Sequence, residues 1–442
     1  MKSGTFTPGE EKVRAGIYFH LTEKASDRLT VGERGRVAIP LVLPWGDSGK
    51  LINIKSEGDA SEKLGISISD DSLLLVREVR KNAAETLVYR VNEGVKAEGA
   101  AGETLTLEAK YGGAKGNELS VRISANVLDE TKKEVTTFLG TEEVESQTVE
   151  TAEDLVDNKY LTFTGTGELE DVASAKLTGG TDGTALVDAY TKFFEALEVE
   201  SFDVVAFPVD DEALKVSFAS FIKRIREDQG VKVQGVTSGL AANYEGIINV
   251  TNGPVLENGT TLSASEAVAW VAGASAGATL QQSLTFMIYG GAVDVEPRFD
   301  HDETIERLKK GEFLFSFDGR DKTVTVESDQ NSLESTAKMS QNKVVRITDA
   351  FQNDVFRSLK DIIRNRKSTG VDIPVNEDGQ SIVHTAVTLY MKTLQDNGII
   401  KNFDPSADVE VSITAAGSGF LIKYGIQPVQ SAEKFYFDGE VS

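Results

Sequence analysis

The stretch LVDAYTKFFEALEVESFDVVAFPVDDEALKVSFASFIKRIREDQGVKVQGVTSGLAANYEGIINV, residues 186–250, sets the fold class. Residues 186–197 repeat apolar side chains at helical spacing, DVVAF at 203–207 is a short apolar run, and 211–228 returns to an amphipathic helix. Further apolar strands follow at 231–236 and 246–250. Ser263, with Glu266 three residues later, carries the capping-box signature that opens another helix. Such alternation predicts an α/β sheet covered by helices.

Upstream, 37–45 (VAIPLVLPW) reads as a strand interrupted by prolines, which suits a sheet edge. Residues 70–82 read as a helix and 86–91 (TLVYRV) as a buried strand. From 95 to 190 the rhythm changes. Stretches 104–110 and 119–127 alternate like half-exposed strands around a Gly-rich turn at 111–117, and proline is absent. This segment holds 19 acidic and 8 basic residues, a net of −11, and so reads as a surface-facing β insertion. Downstream, 312–317 and 323–327 suggest a hairpin around Asp318-Gly319. Helices are expected at 344–366 and 381–396, and antiparallel strands at 409–415 and 420–428. The fold class is therefore α/β and α+β multidomain, with a mixed-sheet α/β core, an inserted mostly-β domain and extended N- and C-terminal β arms. The expected divisions are an arm at 1–36, core at 37–94, insertion at 95–183, α/β core at 184–300, C-terminal domain at 301–431 and arm at 432–442.

Composition excludes several function classes. The 442 residues carry 70 acidic against 46 basic side chains, a net charge of −24, with no cysteine and three histidines. Disulfides, thiolate metal sites and cysteine nucleophiles are ruled out, and multi-histidine metal centres are disfavoured. The negative balance argues against nucleic acid, since phosphate neutralisation needs clustered cations. Residues 1–11 are polar and resemble no targeting signal, so the chain is expected in the cytosol where it is made. The uncharged run 267–293 is rich in Ala, Gly and Ser, has Gln281-Gln282 at its centre, and reads as a buried helix plus strand rather than a membrane span.

Gly273-Ala274-Ser275-Ala276-Gly277 fits the G-x-S-x-G nucleophile pattern, which would make Ser275 the nucleophile of a serine hydrolase. An elbow needs a strand before the serine, however, and 266–272 looks helical; a small-residue face for close packing is the better reading. His20, His301 and His384 lie in separate segments, with His301 in an acidic loop. No phosphate loop is present, and nothing calls for a cofactor or metal. A monomeric surface-binding module built on the acidic insertion is a further alternative.

Two features point to interaction instead. The ends VRAGIYF (13–19) and EKFYFDGEV (433–441) are aromatic and alternating, suited to pairing with exposed sheet edges on another subunit. The candidate arm residues are Val13, Arg14, Ile17, Tyr18, Phe19, Phe435, Tyr436 and Phe437. In addition, 343–367 carries seven Lys/Arg against three Asp in an acidic protein, and Arg357, Lys360, Arg364 and Lys367 fall along one side of a helix. That face suits an acidic partner surface.

Several motifs together resemble the contractile-tail sheath proteins of bacteriophages and phage-like particles. They are Gly4-Thr5-Phe6-Thr7 with Lys12-Val13-Arg14-Ala15-Gly16-Ile17-Tyr18, and Ile39-Pro40-Leu41 with Pro44-Trp45-Gly46. Val88-Tyr89-Arg90-Val91-Asn92-Glu93-Gly94 and Ala109-Lys110-Tyr111-Gly112-Gly113 with Gly116-Asn117-Glu118-Leu119 follow. Leu177-Thr178-Gly179-Gly180 with Asp182-Gly183, the small-residue segment 272–285, and Gln427-Pro428-Val429 with Glu433-Lys434-Phe435-Tyr436 complete the series. Ala15 stands where the family often has proline. The resemblance implies a structural protein without a catalytic site or cofactor. Its subunits would form hexameric rings stacked helically around an inner tail tube, with baseplate and tail terminator proteins as further partners and neither nucleic acid nor membrane insertion involved. The arms would link neighbours, 301–431 would face the tube through Arg357, Lys360, Arg364 and Lys367 or through 381–396, and the insertion would face outward. Assembly in the host bacterial cytoplasm and residence in the tail of a virion or phage-like particle are implied in the same way.

Overall fold

Alternating side chains of the strand Arg36–Leu41 feed two cores: Val37, Ile39 and Leu41 enter one buried cluster and Ala38 the other. The same alternation recurs in Glu85–Arg90, where Val88 faces the first cluster and Leu87 and Tyr89 the second. A sheet buried on both faces needs apolar residues at every position, and this accounts for the continuous apolar runs seen in the sequence.

The computed structural model describes residues 3–5, 17–19, 34–334 and 337–441. Two compact units divide the chain, one formed by Gly32–Asn353 with Pro428–Ser442 and the other by Met1–Val31 with Asp354–Gln427. The first unit contains a seven-stranded sheet in the order Glu312–Phe313, Ile247–Val250, Gln234–Ser238, Val204–Ala206, Arg36–Leu41, Glu85–Arg90 and Leu51–Ile54. All its pairings are parallel except that of Leu51–Ile54, so the sheet is mixed. Helices Leu74–Arg80 and Ala264–Gly277 contribute Val76, Val79, Val268 and Trp270 to the first cluster. Helices Val187–Glu198 and Glu212–Glu227 contribute Phe193, Phe218 and Ile222 to the second, where Phe207 stacks on Phe218 at 4.5 Å. Local chemistry starts these helices. Asp211 Oδ1 accepts from Leu214 N at 2.9 Å, and Ser263 and Glu266 form the expected reciprocal capping box.

Three expectations need correction. The strand Arg36–Leu41 lies inside the sheet rather than at its edge. Its neighbour Val204–Ala206 pairs only with Val37 and Ala38, so Pro40 lies beyond that ladder and its missing N–H costs nothing there. The expected hairpin begins later, at Phe315–Asp318 paired with Thr323–Val326, because Glu312–Phe313 joins the main sheet. His301 opens the helix His301–Lys309 instead of sitting in a loop, with Asp300 Oδ1 accepting from Glu303 N at 2.8 Å.

The insertion is two antiparallel sheets. Leu161–Gly165, Leu105–Gly112 and Lys96–Ala101 form one; Glu142–Val149, Lys133–Leu139, Leu119–Ala125 and Val172–Lys176 form the other. Leu105, Leu107 and Ala109 alternate inward, as do Leu119, Val121 and Ile123. In the second unit, the helix Glu377–Asp396 packs against the hairpin Val409–Ile413/Phe420–Tyr424, with Gln380 Nε2 donating to Val411 O at 3.0 Å. The long helix Asn342–Ser368 contributes to both units, and Tyr390 OH donates to Asp354 Oδ2 near its middle at 2.5 Å. Among the described residues, no helix is long and apolar enough to cross a membrane.

Candidate assembly surfaces

The motifs at 44–46, 88–94, 109–113 and 182–183 converge where the chain enters and leaves the insertion. Arg90, 2% exposed, ends its strand there. Its Nη1 donates to Gly46 O at 2.5 Å, and its Nη2 donates to Gly112 O at 2.7 Å and Glu93 O at 3.1 Å. Asn92 accepts from Leu43 N through Oδ1 at 2.9 Å and donates through Nδ2 to Leu43 O at 2.9 Å and Asp182 O at 2.6 Å. Burial pulls the Arg90 pKa down, while the carboxylates of Asp182, Asp47 and Glu93 oppose that shift. Gly113 has φ 142°, and a Cβ there would lie 1.9 Å from Pro44 O, so only glycine permits this crossing. Val95 and Thr181 close the junction with reciprocal backbone bonds of 2.8 and 3.2 Å. The sequence shows these residues as a motif; their joint role in fixing the insertion depends on backbone carbonyls that no pattern reveals.

The terminal segments differ from each other. Val13 and Arg14 lie outside the described residues, while Ile17–Phe19, which includes Tyr18, pairs in parallel with Ser3–Thr5. At the other end, residues 428–441 form no helix or strand within the single chain apart from an isolated β-bridge at Pro428. Phe435, Tyr436 and Phe437 are 71, 90 and 95% exposed. Three consecutive aromatic residues left in water are costly unless another surface covers them.

Arg357, Lys360, Arg364 and Lys367 are all exposed along the second half of helix Asn342–Ser368. Two have weak local partners, Arg364 with Asp361 at 3.6 Å and Lys367 with Asp372 at 3.8 Å. Exposed Phe356 and Ile363 lie among them, with Lys360 Nζ 5.8 Å from the Phe356 ring centre. This apolar pair, at i and i+7, was missed in the charge pattern although its spacing was visible. The basic stretch also divides. Its first part is buried in the main unit, where Arg346 Nη2 donates to Asp329 Oδ2 at 2.7 Å and Asp349 accepts two bonds from Arg226, at 2.5 and 3.1 Å. Burial raises the Asp349 pKa, against the attraction of Arg226.

Ser275 lies inside helix Ala264–Gly277, is 2% exposed, and its Oγ has no hydrogen-bond partner. No strand precedes it, so the nucleophile elbow is absent. The small residues have a packing role instead: a Cβ on Gly273 would meet Val79 O at 2.3 Å, and one on Gly277 would meet Asn82 O at 2.1 Å.

Four family models match consecutive parts of the chain. They are the tail sheath protein Gp18 domain III N-terminal region at 34–91, the phage tail sheath protein beta-sandwich domain at 92–182, the phage tail sheath protein central domain at 183–332 and the phage tail sheath C-terminal domain at 334–442. Among curated proteins, the chain is 50% identical to the phage-like element PBSX protein XkdK of Bacillus subtilis (strain 168), over 100% of both chains. It is equally identical to protein YqbK of the same organism, again over 100% of both. A crystal structure of a sheath tail protein from Listeria innocua matches at 45% identity with a TM-score of 0.80, covering 93% of this chain and 96% of that one. Another, from Desulfitobacterium hafniense, matches at 40% identity with a TM-score of 0.85, covering 96 and 99%. The helical sheath of the anti-feeding prophage in its contracted state, at 13% identity and a TM-score of 0.59 over 98 and 99% of the two chains, shares the fold. With domain matches over consecutive parts of its length and a relative 50% identical over the whole of it, the chain belongs to the phage tail sheath protein family.

Proposed function

We propose that this chain is the repeating subunit of a contractile sheath that polymerises as stacked hexameric rings around an inner tail tube, then shortens to drive that tube through a target cell envelope. The observation that carries the proposal is the C-terminal segment, whose Phe435, Tyr436 and Phe437 stand exposed and unpaired in the single chain. A strand added to a neighbour's sheet edge would satisfy their backbone groups and cover the rings. The N-terminal residues Val13, Arg14, Ile17, Tyr18 and Phe19 take the same role at the opposite end. No catalytic step is needed, since the work comes from the difference between two assembled states.

Arg357, Lys360, Arg364 and Lys367 form the tube-facing surface in this reading. Contacts that contraction must break are best made from exposed charges, which contribute about 0–1 kcal/mol each and add up only in the assembled array. The acidic insertion faces outward. Baseplate and tail terminator proteins cap the two ends, the polymer forms in the host bacterial cytoplasm, and it resides in the tail of a virion or phage-like particle. The relative XkdK from a phage-like element and the neighbour solved as a contracted sheath support this placement.

Negative-stain microscopy of the purified chain tests the proposal. The full chain should form tubular polymers, while deletion of residues 1–20 or 432–442 should leave a folded, monomeric protein with an unchanged circular dichroism spectrum. Tubes of normal length from both deletions would sink the arm model. A parent protein that never polymerises would favour the monomeric surface-binding alternative.

A further inference from the structure

The base of the C-terminal segment is held by side chains that lie far away in sequence. Glu433 Oε1 accepts from Ser283 Oγ at 2.7 Å and from Thr285 Oγ1 at 2.9 Å. Two residues earlier, Ser431 Oγ accepts from Lys343 Nζ at 2.9 Å. Lys343 is 8% exposed; burial pulls its pKa down and Arg346 adds to this, while Glu433 and Asp329 oppose it.

The receiving segment is itself fixed. Leu284 N donates to Asp329 Oδ2 at 3.0 Å, Asp329 N donates to Thr285 Oγ1 at 2.9 Å, and Arg346 holds the same carboxylate at 2.7 Å. Phe286 follows at φ 65°, a left-handed conformation that is sterically unfavourable for a bulky L residue. The turn that presents both hydroxyls is therefore imposed by its surroundings rather than by local preference. Beyond Glu433 the contrast is abrupt, because the three aromatic residues that follow Lys434 are exposed.

We propose that Ser283, Thr285 and Lys343 form a clip that fixes where the C-terminal arm leaves its own subunit, making Glu433 and Ser431 positioning residues for strand exchange between copies. This rests on the sheath reading given above. The physical reason is pre-organisation. Each residue ordered during docking costs backbone entropy. An arm tethered at Glu433 has already met that cost for 428–433, so only the strand itself remains to be ordered when it meets a neighbour. The clip uses hydroxyl-to-carboxylate bonds, which are directional and hold the arm's first residues along one course.

The test compares Glu433→Ala, Glu433→Gln, the double variant Ser283→Ala/Thr285→Val and the full-length parent. Three measurements are needed: thermal unfolding of the unassembled chain, hydrogen exchange of the amides at 431–434, and tube yield by negative stain at one protein concentration. Glu433→Ala and the double variant should unfold at the parent temperature, exchange faster at 431–434, and lose about tenfold or more in tube yield. Glu433→Gln retains Oε1 as an acceptor and should recover most of that yield. Parent-like yield from Glu433→Ala overturns the positioning role while leaving the sheath reading intact, and unchanged exchange at 431–434 removes the clip itself. A parent that forms no tubes overturns the sheath reading and the positioning role with it.

Discussion

Arg90 shows what one guanidinium achieves that a lysine could not. Its planar fork reaches carbonyls from three separate segments, those of Gly46, Glu93 and Gly112, and so satisfies backbone groups that a chain crossing would otherwise strand without water. A second charged cluster lies on the same sheet, at the opposite end of the strand Glu85–Arg90. Glu85 accepts from Arg36 Nε at 2.8 Å and Asn53 Nδ2 at 2.9 Å, and pairs with Lys55 Nζ at 2.8 Å. The Lys55 and Asn53 hydrogen bonds, with a smaller contribution from Arg36, hold its carboxyl at about 2, below the usual 4.5. A folded-state value below the unfolded one means that the stabilisation is complete above pH 4.5 and disappears as pH falls toward 2. Glu85→Gln should therefore flatten the dependence of the urea midpoint on pH across that acid window and leave its slope above the window unchanged. A variant that keeps the parent's acid slope would show that other carboxylates carry it.

At the scale of the element, the helix Ala264–Gly277 separates two meanings of small side chains. Ser275 Oγ is buried without a partner, so Ser275→Ala should leave stability within about 0.5 kcal/mol of the parent or raise it slightly. Gly273→Ala places a methyl group 2.3 Å from Val79 O and should cost about 1–3 kcal/mol in urea unfolding as the helix pair is pushed apart. Equal effects from the two substitutions would show that the close approach of the helices is unimportant. The helix was legible in the sequence because its capping box and small-residue run are local signals, and so were the strands at 204–206 and 247–250. What escaped was set by neighbours. Pro40 looks like an edge residue until the shortness of the adjoining strand is known. The charges of 343–367 look like one basic face until Arg346 and Asp349 are found buried in the main unit, with Arg357 to Lys367 left exposed. The sequence around His301 reads as a loop because a run of acids resembles solvated chain, although Asp300 is the cap that starts a helix.

At the scale of the whole molecule, the charge is partitioned. The stretch 95–190 carries −11 of the total −24, while four cations line one exposed helical face. The two chain crossings between this acidic sandwich and the core lie side by side, where a Cβ on Gly183 would lie 3.3 Å from the Gly94 Cα, and Trp45 of the core packs on Tyr111 and Tyr160 of the sandwich. Replacing 96–180 by a short Gly-Ser bridge should leave a core that unfolds in a single transition, at a lower midpoint because the Arg90–Gly112 bond and the cover of Trp45 by Tyr111 and Tyr160 are lost. Thermal unfolding and size-exclusion chromatography check this, and an aggregated or molten product would show that the sandwich is integral to the core. The closeness of Gly94 and Gly183 has a consequence for inheritance and for engineering. A compact domain whose ends lie side by side can be exchanged as a cassette without altering the reading of the surrounding chain. The sandwich could thus vary in sequence, or be replaced by a foreign module grafted at that seam, while the surrounding sheet and helices stay the same.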